Sequence, residues 1–360
     1  MEQPIDVRQW VVFYEANMPE PILWRPEPRL LKKGIFLFSL IALIASIGVF
    51  WWKTPHLADI IRHLQLPFLG LALLSTAIEW FFSSLKLYLF VVLHNEKISL
   101  WTCFRTITIN YFVSATTPSS IGGGVAQTYV LHKEGVHASH AFAILIISFS
   151  STVFFLTVAT AGSLALQPAI LNISPKFLPV LYFSIAGVIL VLTAITAVLF
   201  HPQPFQHGLR LIFQVLSHLS RRDWLADRAP GQRLLHQFNR FQQEFVRLLR
   251  EETGLVLFSL VLVALALTAR FATAYFLIRG FGVEVHFGDV WILQTLLFFS
   301  TYLIPTPGSS GAAEIASVAL MGLIVPAEVL GLFTVIWRVV TTYLAVILGG
   351  FFFLTYLREN

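Results

Sequence analysis

Glu79, Arg270, Glu314 and Arg338 are charged side chains set well inside stretches that are mostly apolar. Glu79 falls within 67–93, Arg270 within 254–280, Glu314 within 307–324 and Arg338 within 329–356. A lone charge at the centre of a bilayer costs on the order of 3 kcal/mol or more, so such residues face the protein interior and pair. Glu314 is expected to pair with Arg338, since their segments are joined by a few residues. Glu79 is expected to pair with Arg270. Two chemistries are open. The pairs could be structural, fixing one packing arrangement. Alternatively they could build an anion-attracting cavity, in which an arginine grips a phosphate by a two-pronged contact.

A phrase occurs twice. Thr117-Pro118-Ser119-Ser120-Ile121-Gly122 is echoed by Thr306-Pro307-Gly308-Ser309-Ser310-Gly311, and both read T-P-x-S-x-G. The copies are 189 residues apart (306 less 117), and that offset also aligns Leu131 with Leu320, Ile147 with Ile336 and Thr152 with Thr341. Each copy interrupts an apolar stretch with proline, glycine and hydroxyls. Duplicated, broken hydrophobic segments in the two halves point to a transporter's binding site. Pro118, Ser120, Gly122 and Gly123 in the first copy and Pro307, Ser309 and Gly311 in the second are the candidate contacts. Where a helix restarts after a break, its free N–H groups attract phosphate. The alternative use of Gly122, Gly123 and Gly124 is close helix packing. A nucleotide loop is excluded, because no Gly-Lys-Ser/Thr follows and no strand precedes.

These residues need a membrane to sit in. The 360-residue chain is 56% hydrophobic and 12% charged, with a mean hydropathy of +0.76. A soluble protein carries about 25% charged residues. The one cysteine, Cys103, excludes an internal disulfide and a cysteine-cluster metal site. His132, His137 and His140 cluster without a supporting carboxylate pattern, and no metal or other cofactor is expected. The polar, proline-rich start is not a cleavable signal.

Apolar segments run at 34–52, 67–93, 102–116, 139–166, 178–200, 254–280, 290–304 and 329–356, with short pieces at 118–131 and 307–324. The pairs 102–116/118–131 and 290–304/307–324 are too short to span singly and fit re-entrant hairpins turning at the motif. The fold expected is all-α and polytopic, with about six full spans plus two re-entrant helical hairpins in an inverted repeat. Arg8, Arg25, Arg29, Lys32 and Lys33 precede the first span, and 201–253 holds eight arginines. Both therefore belong in the cytoplasm. The division is a cytoplasmic or interfacial segment 1–33, a first membrane repeat 34–200, a basic amphipathic linker 201–253 and a second repeat 254–360. Three crossings separate the starts of the two repeats, and an odd number inverts one against the other.

Within the linker, Leu234, Phe238, Phe241, Phe245 and Leu248 form an apolar helical stripe opposite Arg233, Arg240, Arg247 and Arg250. Leu209, Ile212, Leu216 and Leu219 form a shorter one. Both suit helices in the headgroup region, or a cytoplasmic hairpin packed on itself.

The chain resembles the flippase-like membrane proteins that include the transmembrane domain of lysylphosphatidylglycerol synthases. Relatives of that kind take part in archaeal dolichol-linked glycan assembly and are implicated in hopanoid transport. The resemblance covers about 35–355. It rests on Thr117-Pro118 through Gly122-Gly123 to Tyr129-Val130-Leu131, on Pro307 through Gly311 and Glu314, and on Arg338 followed by Thr342-Tyr343-Leu344 and Gly349. The first half departs from the family pattern. Gly124 stands where an acidic residue is usual, Gln127 where an arginine is usual, and Ser148-Phe149 where Glu-Arg is frequent. With the sequence ending at Asn360, no soluble aminoacyl-transferase domain is expected.

The resemblance implies translocation of lipid between leaflets. Residues and resemblance together suggest a flippase for an anionic lipid, carrying a phospho- or polyprenyl-phosphate-linked headgroup, in the inner membrane and without enzymatic activity. A secondary transporter of a small anion fits the same pattern, and an integral-membrane glycosyltransferase or lipid-modifying enzyme is the third reading. The expected partners are membrane lipids. A separate lipid-modifying enzyme and a second copy of the chain remain open, and no nucleic acid is expected.

Overall fold

The computed structural model describes residues 65–92, 97–117, 121–166, 178–200, 202–220, 230–302, 304 and 306–359. The expected first span, Pro118 and Ser120 lie outside the described residues. Among those described there are helices and no strand. In chain order they are α1 Leu66–Val92, α2 Leu100–Thr116, α3 Ile121–Lys133, α4 Ala138–Leu166, α5 Leu178–Phe200, α6 Pro202–Ser220, α7 Pro230–Glu251, α8 Thr253–Gly280 and α9 Phe287–Tyr302. A 3-10 turn, Pro307–Ser309, then precedes α10 Ala312–Met321, α11 Ala327–Arg338, a π-helical turn Val339–Tyr343, and α12 Leu344–Glu359.

Local chemistry sets these limits. The Ser99 side chain accepts from the Thr102 N–H and caps α2. Thr117 precedes a proline, which drives it out of the helical region, and its backbone is extended at φ −116°, ψ 143°. Pro202 and Pro230 open α6 and α7 at the first helical position, where a missing N–H costs nothing. Buried hydroxyls fold back on their own helices, as in Ser84 to the Trp80 carbonyl and Thr341 to the Trp337 carbonyl.

Among the described residues, four continuous helical stretches are long and apolar enough to cross a membrane: Leu66–Val92, Ala138–Leu166, Thr253–Gly280 and Ala327–Tyr356. The last matches the apolar segment 329–356, and the π-helical turn interrupts it directly after Arg338. α2 has 17 residues and α3 has 13, lengths of about 25 and 20 Å against a hydrocarbon core of about 30 Å.

α1 and α8 form the central pair. Gln65 N–H donates to the Gly280 carbonyl at one end, Thr76 meets Thr273 at 3.2 Å, and Arg270 meets Glu79 further along. As the α1 number rises the α8 number falls, so the two helices are antiparallel. α2 and α3 are antiparallel neighbours too, because Asn110 meets Gln127 and Ser114 lies over Gly123. α9 and α10 fold back likewise, with Gln294 against Met321 and Ser309 bonded to Thr301.

The two folded-back pairs open at opposite ends of the molecule. One apolar cluster gathers Phe90 and Val91 at the end of α1, Cys103 at the start of α2, Leu131 at the end of α3 and Ala141 at the start of α4. Another gathers Ile278 at the end of α8, Val290 at the start of α9, Met321 at the end of α10 and Leu330 at the start of α11. The halves interlock: α12 packs along α2, and α9 packs along α4. At Gly349 the approach is so close that a Cβ would overlap the Thr108 carbonyl of α2.

The amphipathic linker divides in a way its periodicity does not show. α7 lays Phe241, Phe245 and Leu248 into the cluster formed by the ends of α1 to α4, with Phe142 against Phe241 and His140 beside Glu244 at 3.8 Å. Phe241, Phe245 and Leu248 of its stripe are covered by protein. α6 keeps Leu211, Ile212 and Val215 exposed, which agrees with a helix on a membrane surface.

Candidate functional site

Glu314 and Arg338 meet as their sequence positions predict. Arg338 Nε donates to Glu314 Oε1 at 3.0 Å, and the side chains are 5% and 2% exposed. The rest of the guanidinium is also engaged by protein. Nη1 donates to Thr342 Oγ1, and Nη2 donates to the Gly308 carbonyl and to Ser310 Oγ. The Arg338 fork thus grips the Pro307–Ser309 turn, with Tyr343 beside it. The π-helical turn places Thr342 and Tyr343 for this contact; such turns recur at functional sites.

That turn has an unusual backbone. Gly308 has φ 57°, Ser309 φ 54° and Gly311 φ 84°. For Ser309, a residue with a Cβ, this region is disfavoured, and the bond from its Oγ to the Thr301 carbonyl at 2.9 Å holds it there. At Gly311 a Cβ would touch nothing within 4 Å, and the positive φ is what requires glycine. Gly123 does permit close packing, because a Cβ there would press on Ser114 and on the Asn110 carbonyl.

The restarted helices carry their own caps. Gly311 N–H donates to Glu314 Oε2 at 2.7 Å, and Gly122 N–H donates to Thr117 Oγ1 at 3.2 Å. Side-chain oxygens of the protein therefore hold N–H groups that could otherwise face a phosphate.

The second charged pair is built differently. Arg270 Nη1 donates to Glu79 Oε1 at 2.6 Å, with side-chain exposures of 16% and 4%. Among the described residues that is the one hydrogen bond Arg270 makes. Its guanidinium lies over the Phe298 ring at 4.9 Å, and Tyr302 bears on it electrostatically. The Tyr111 hydroxyl reaches Glu79 Oε1 at 3.4 Å, while Glu79 Oε2 is buried without a partner. Glu79 is at the middle of α1 and Arg270 crosses to it from α8, so the pair bridges the two sequence halves. Its arginine keeps N–H donors and a measure of exposure that Arg338 lacks.

The sequence reading did not single out Tyr111, Phe298 or Tyr302 around Arg270, nor the Asn110–Gln127 pair. Asn110 Nδ2 donates to Gln127 Oε1 at 2.7 Å. Amides in short apolar segments were the available signal for that pair; nothing marked the aromatic residues among so many. The three histidines are used singly. His132 bonds the Val136 carbonyl, His137 meets Arg240, and His140 faces Glu244.

A profile of the lysylphosphatidylglycerol synthase transmembrane region matches residues 39–349. The chain belongs to that family. A UPF0104 membrane protein of Archaeoglobus fulgidus is 22% identical over 325 residues, which cover 86% of this chain and 93% of that protein. For this member of the lysylphosphatidylglycerol synthase transmembrane family, a multi-pass membrane location follows from both the match and the four apolar spans. Where the family pattern leads one to expect an arginine, Gln127 makes a neutral amide pair with Asn110.

Proposed function

We propose that this protein moves an anionic lipid between membrane leaflets, passing the headgroup along the α1–α8 interface while the acyl chains stay in the bilayer. The observation that carries this reading is Arg270, a mid-helix guanidinium with open donors at the junction of the two halves. In transporters built from inverted repeats, substrates bind near the midplane at the repeat interface. The antiparallel α1 and α8, equivalent under the 189-residue offset, and the opposite opening of the two broken pairs support an inverted repeat. The short α2, α3, α9 and α10 support re-entrant hairpins.

In this reading Arg270 receives the phosphate, as either a phospholipid or a polyprenyl-phosphate headgroup. Arg338 and Glu314 are positioning residues that hold the second hairpin's turn. The basic linker faces the cytoplasm of an inner membrane, with six crossings in all, and α6 lies on the surface. The protein carries out no bond chemistry of its own. A separate lipid-modifying enzyme supplies its cargo.

The test is reconstitution into liposomes with fluorescent lipids of several headgroups. Phosphate-bearing lipids should cross several times faster than in protein-free liposomes, and a neutral diacylglycerol analogue should show no acceleration. Uptake of a water-soluble anion without lipid movement would replace the flippase reading with a secondary transporter. Absence of both would remove transport altogether.

A further inference from the structure

Among the described residues, Glu79 is a buried carboxylate that is only half satisfied. Its carboxylate is buried at mid-helix, one oxygen is held by Arg270 and Tyr111, and the other meets no hydrogen-bond partner. An ionised carboxylate at that depth depends on its counter-charge. Arg270 is that counter-charge, and it is also the group that an arriving phosphate would take.

We infer that Glu79 is a proton-binding site linked to anion binding at Arg270, so that one proton accompanies each lipid phosphate. This rests on the flippase reading and deepens it. With no lipid bound, Arg270 is neutralised by Glu79. When a phosphodiester takes the guanidinium, Glu79 loses its partner and accepts one proton from water. The site then holds one guanidinium cation, one phosphate anion and one neutral carboxylic acid. Its net charge is the same before and after, so an anion and a proton move together without net charge transfer. Coupling-ion sites in such transporters share the midplane with the substrate.

Among the described residues, the side chains that meet Glu79 include no second cation. From α8 Glu79 faces Arg270, and from α2 it faces Tyr111, which also bonds Ser83 of α1. Tyr302 of α9 lies on the Arg270 side, bonded to Thr152 of α4. Tyr343 of the π-helical turn stays with Arg338. Lys86 is two turns further along α1. The free donors of Arg270 give the phosphate a place to land before Glu79 lets go.

Calorimetric titration of the detergent-solubilised full chain with short-chain phosphatidylglycerol reads the proton directly. The measurement is repeated in buffers of different ionisation enthalpy. The phosphodiester does not titrate between pH 5.5 and 8 (to about a unit, as a strong acid), so any proton taken up belongs to the protein. We expect uptake of about one proton per lipid, and affinity rising up to about tenfold for each unit fall in pH. Glu79→Gln should bind the lipid more tightly, because its competitor for Arg270 is gone, and without proton uptake. Lipid binding to the unmodified protein with no proton uptake would overturn the inference and leave the flippase reading standing. Proton uptake that persists in a folded Glu79→Gln protein would also overturn it. If no lipid bound at all, both would fall. The measurement on the unmodified chain decides the matter even if the variant does not fold.

Discussion

Replacing both members of the central pair, Glu79→Gln with Arg270→Gln, is expected to leave a protein that melts near the unmodified one and moves no anionic lipid. Removing Arg270 alone would leave Glu79 at mid-membrane without its counter-charge, to be protonated or unpaired, and loss of transport could then reflect misfolding. Removing both leaves no orphan charge. Two amides of similar length can still bond each other across α1 and α8, with Tyr111 nearby. The phosphate, however, would lose the guanidinium proposed to receive it. Truncating a buried charge contact costs about 2–5 kcal/mol, so transport should fall by roughly two to three orders of magnitude. The flipping rate and a detergent melting curve, measured on the same preparation, check both halves of the expectation. Transport surviving in the double variant would mean that headgroups pass elsewhere.

The second large effect concerns Glu314 and Arg338, and it should run the other way. Here the pair is closed, with Arg338 bonded to Glu314, Gly308, Ser310 and Thr342. Either single change to Gln leaves a buried charge unpaired and should cost about 3–5 kcal/mol of stability. The double variant should recover part of that loss, with a coupling of about 1–3 kcal/mol in the cycle. Because the pair positions the Pro307–Ser309 turn, the double variant should also recover part of the transport. Additive stability losses would show that the two side chains act independently. A stable but wholly inactive double variant would place Arg338 on the lipid's path instead.

Both pairings could be read from the sequence because charges are few in apolar segments and their partners must lie on neighbouring elements. What could not be read was which arginine stays open. That depends on a third partner: the left-handed turn at Gly308 and Ser309 aims a carbonyl at Arg338, whereas Arg270 has a Phe298 ring beside it. Helical periodicity showed the apolar face of α7 but not its cover, since buried protein and lipid select the same residues. The π-helical turn at Val339–Tyr343 has no residue signature; it lies between Arg338, which holds Glu314, and the close approach of α12 to α2 at Gly349. The broken pairs were legible through proline, which forces Thr117 into an extended backbone. The glycines were legible as types only, Gly123 serving contact and Gly311 serving conformation.

The arrangement on which the account depends is that the two broken pairs open toward opposite sides of the membrane. Single cysteines in a Cys103→Ser background test this in intact cells. One is placed at Glu134, exposed in the turn between α3 and α4, and one at Leu323, exposed between α10 and α11. A membrane-impermeant thiol reagent added from outside should label Leu323→Cys and leave Glu134→Cys unlabelled until the membrane is opened. Labelling of both positions from the same side would contradict the account.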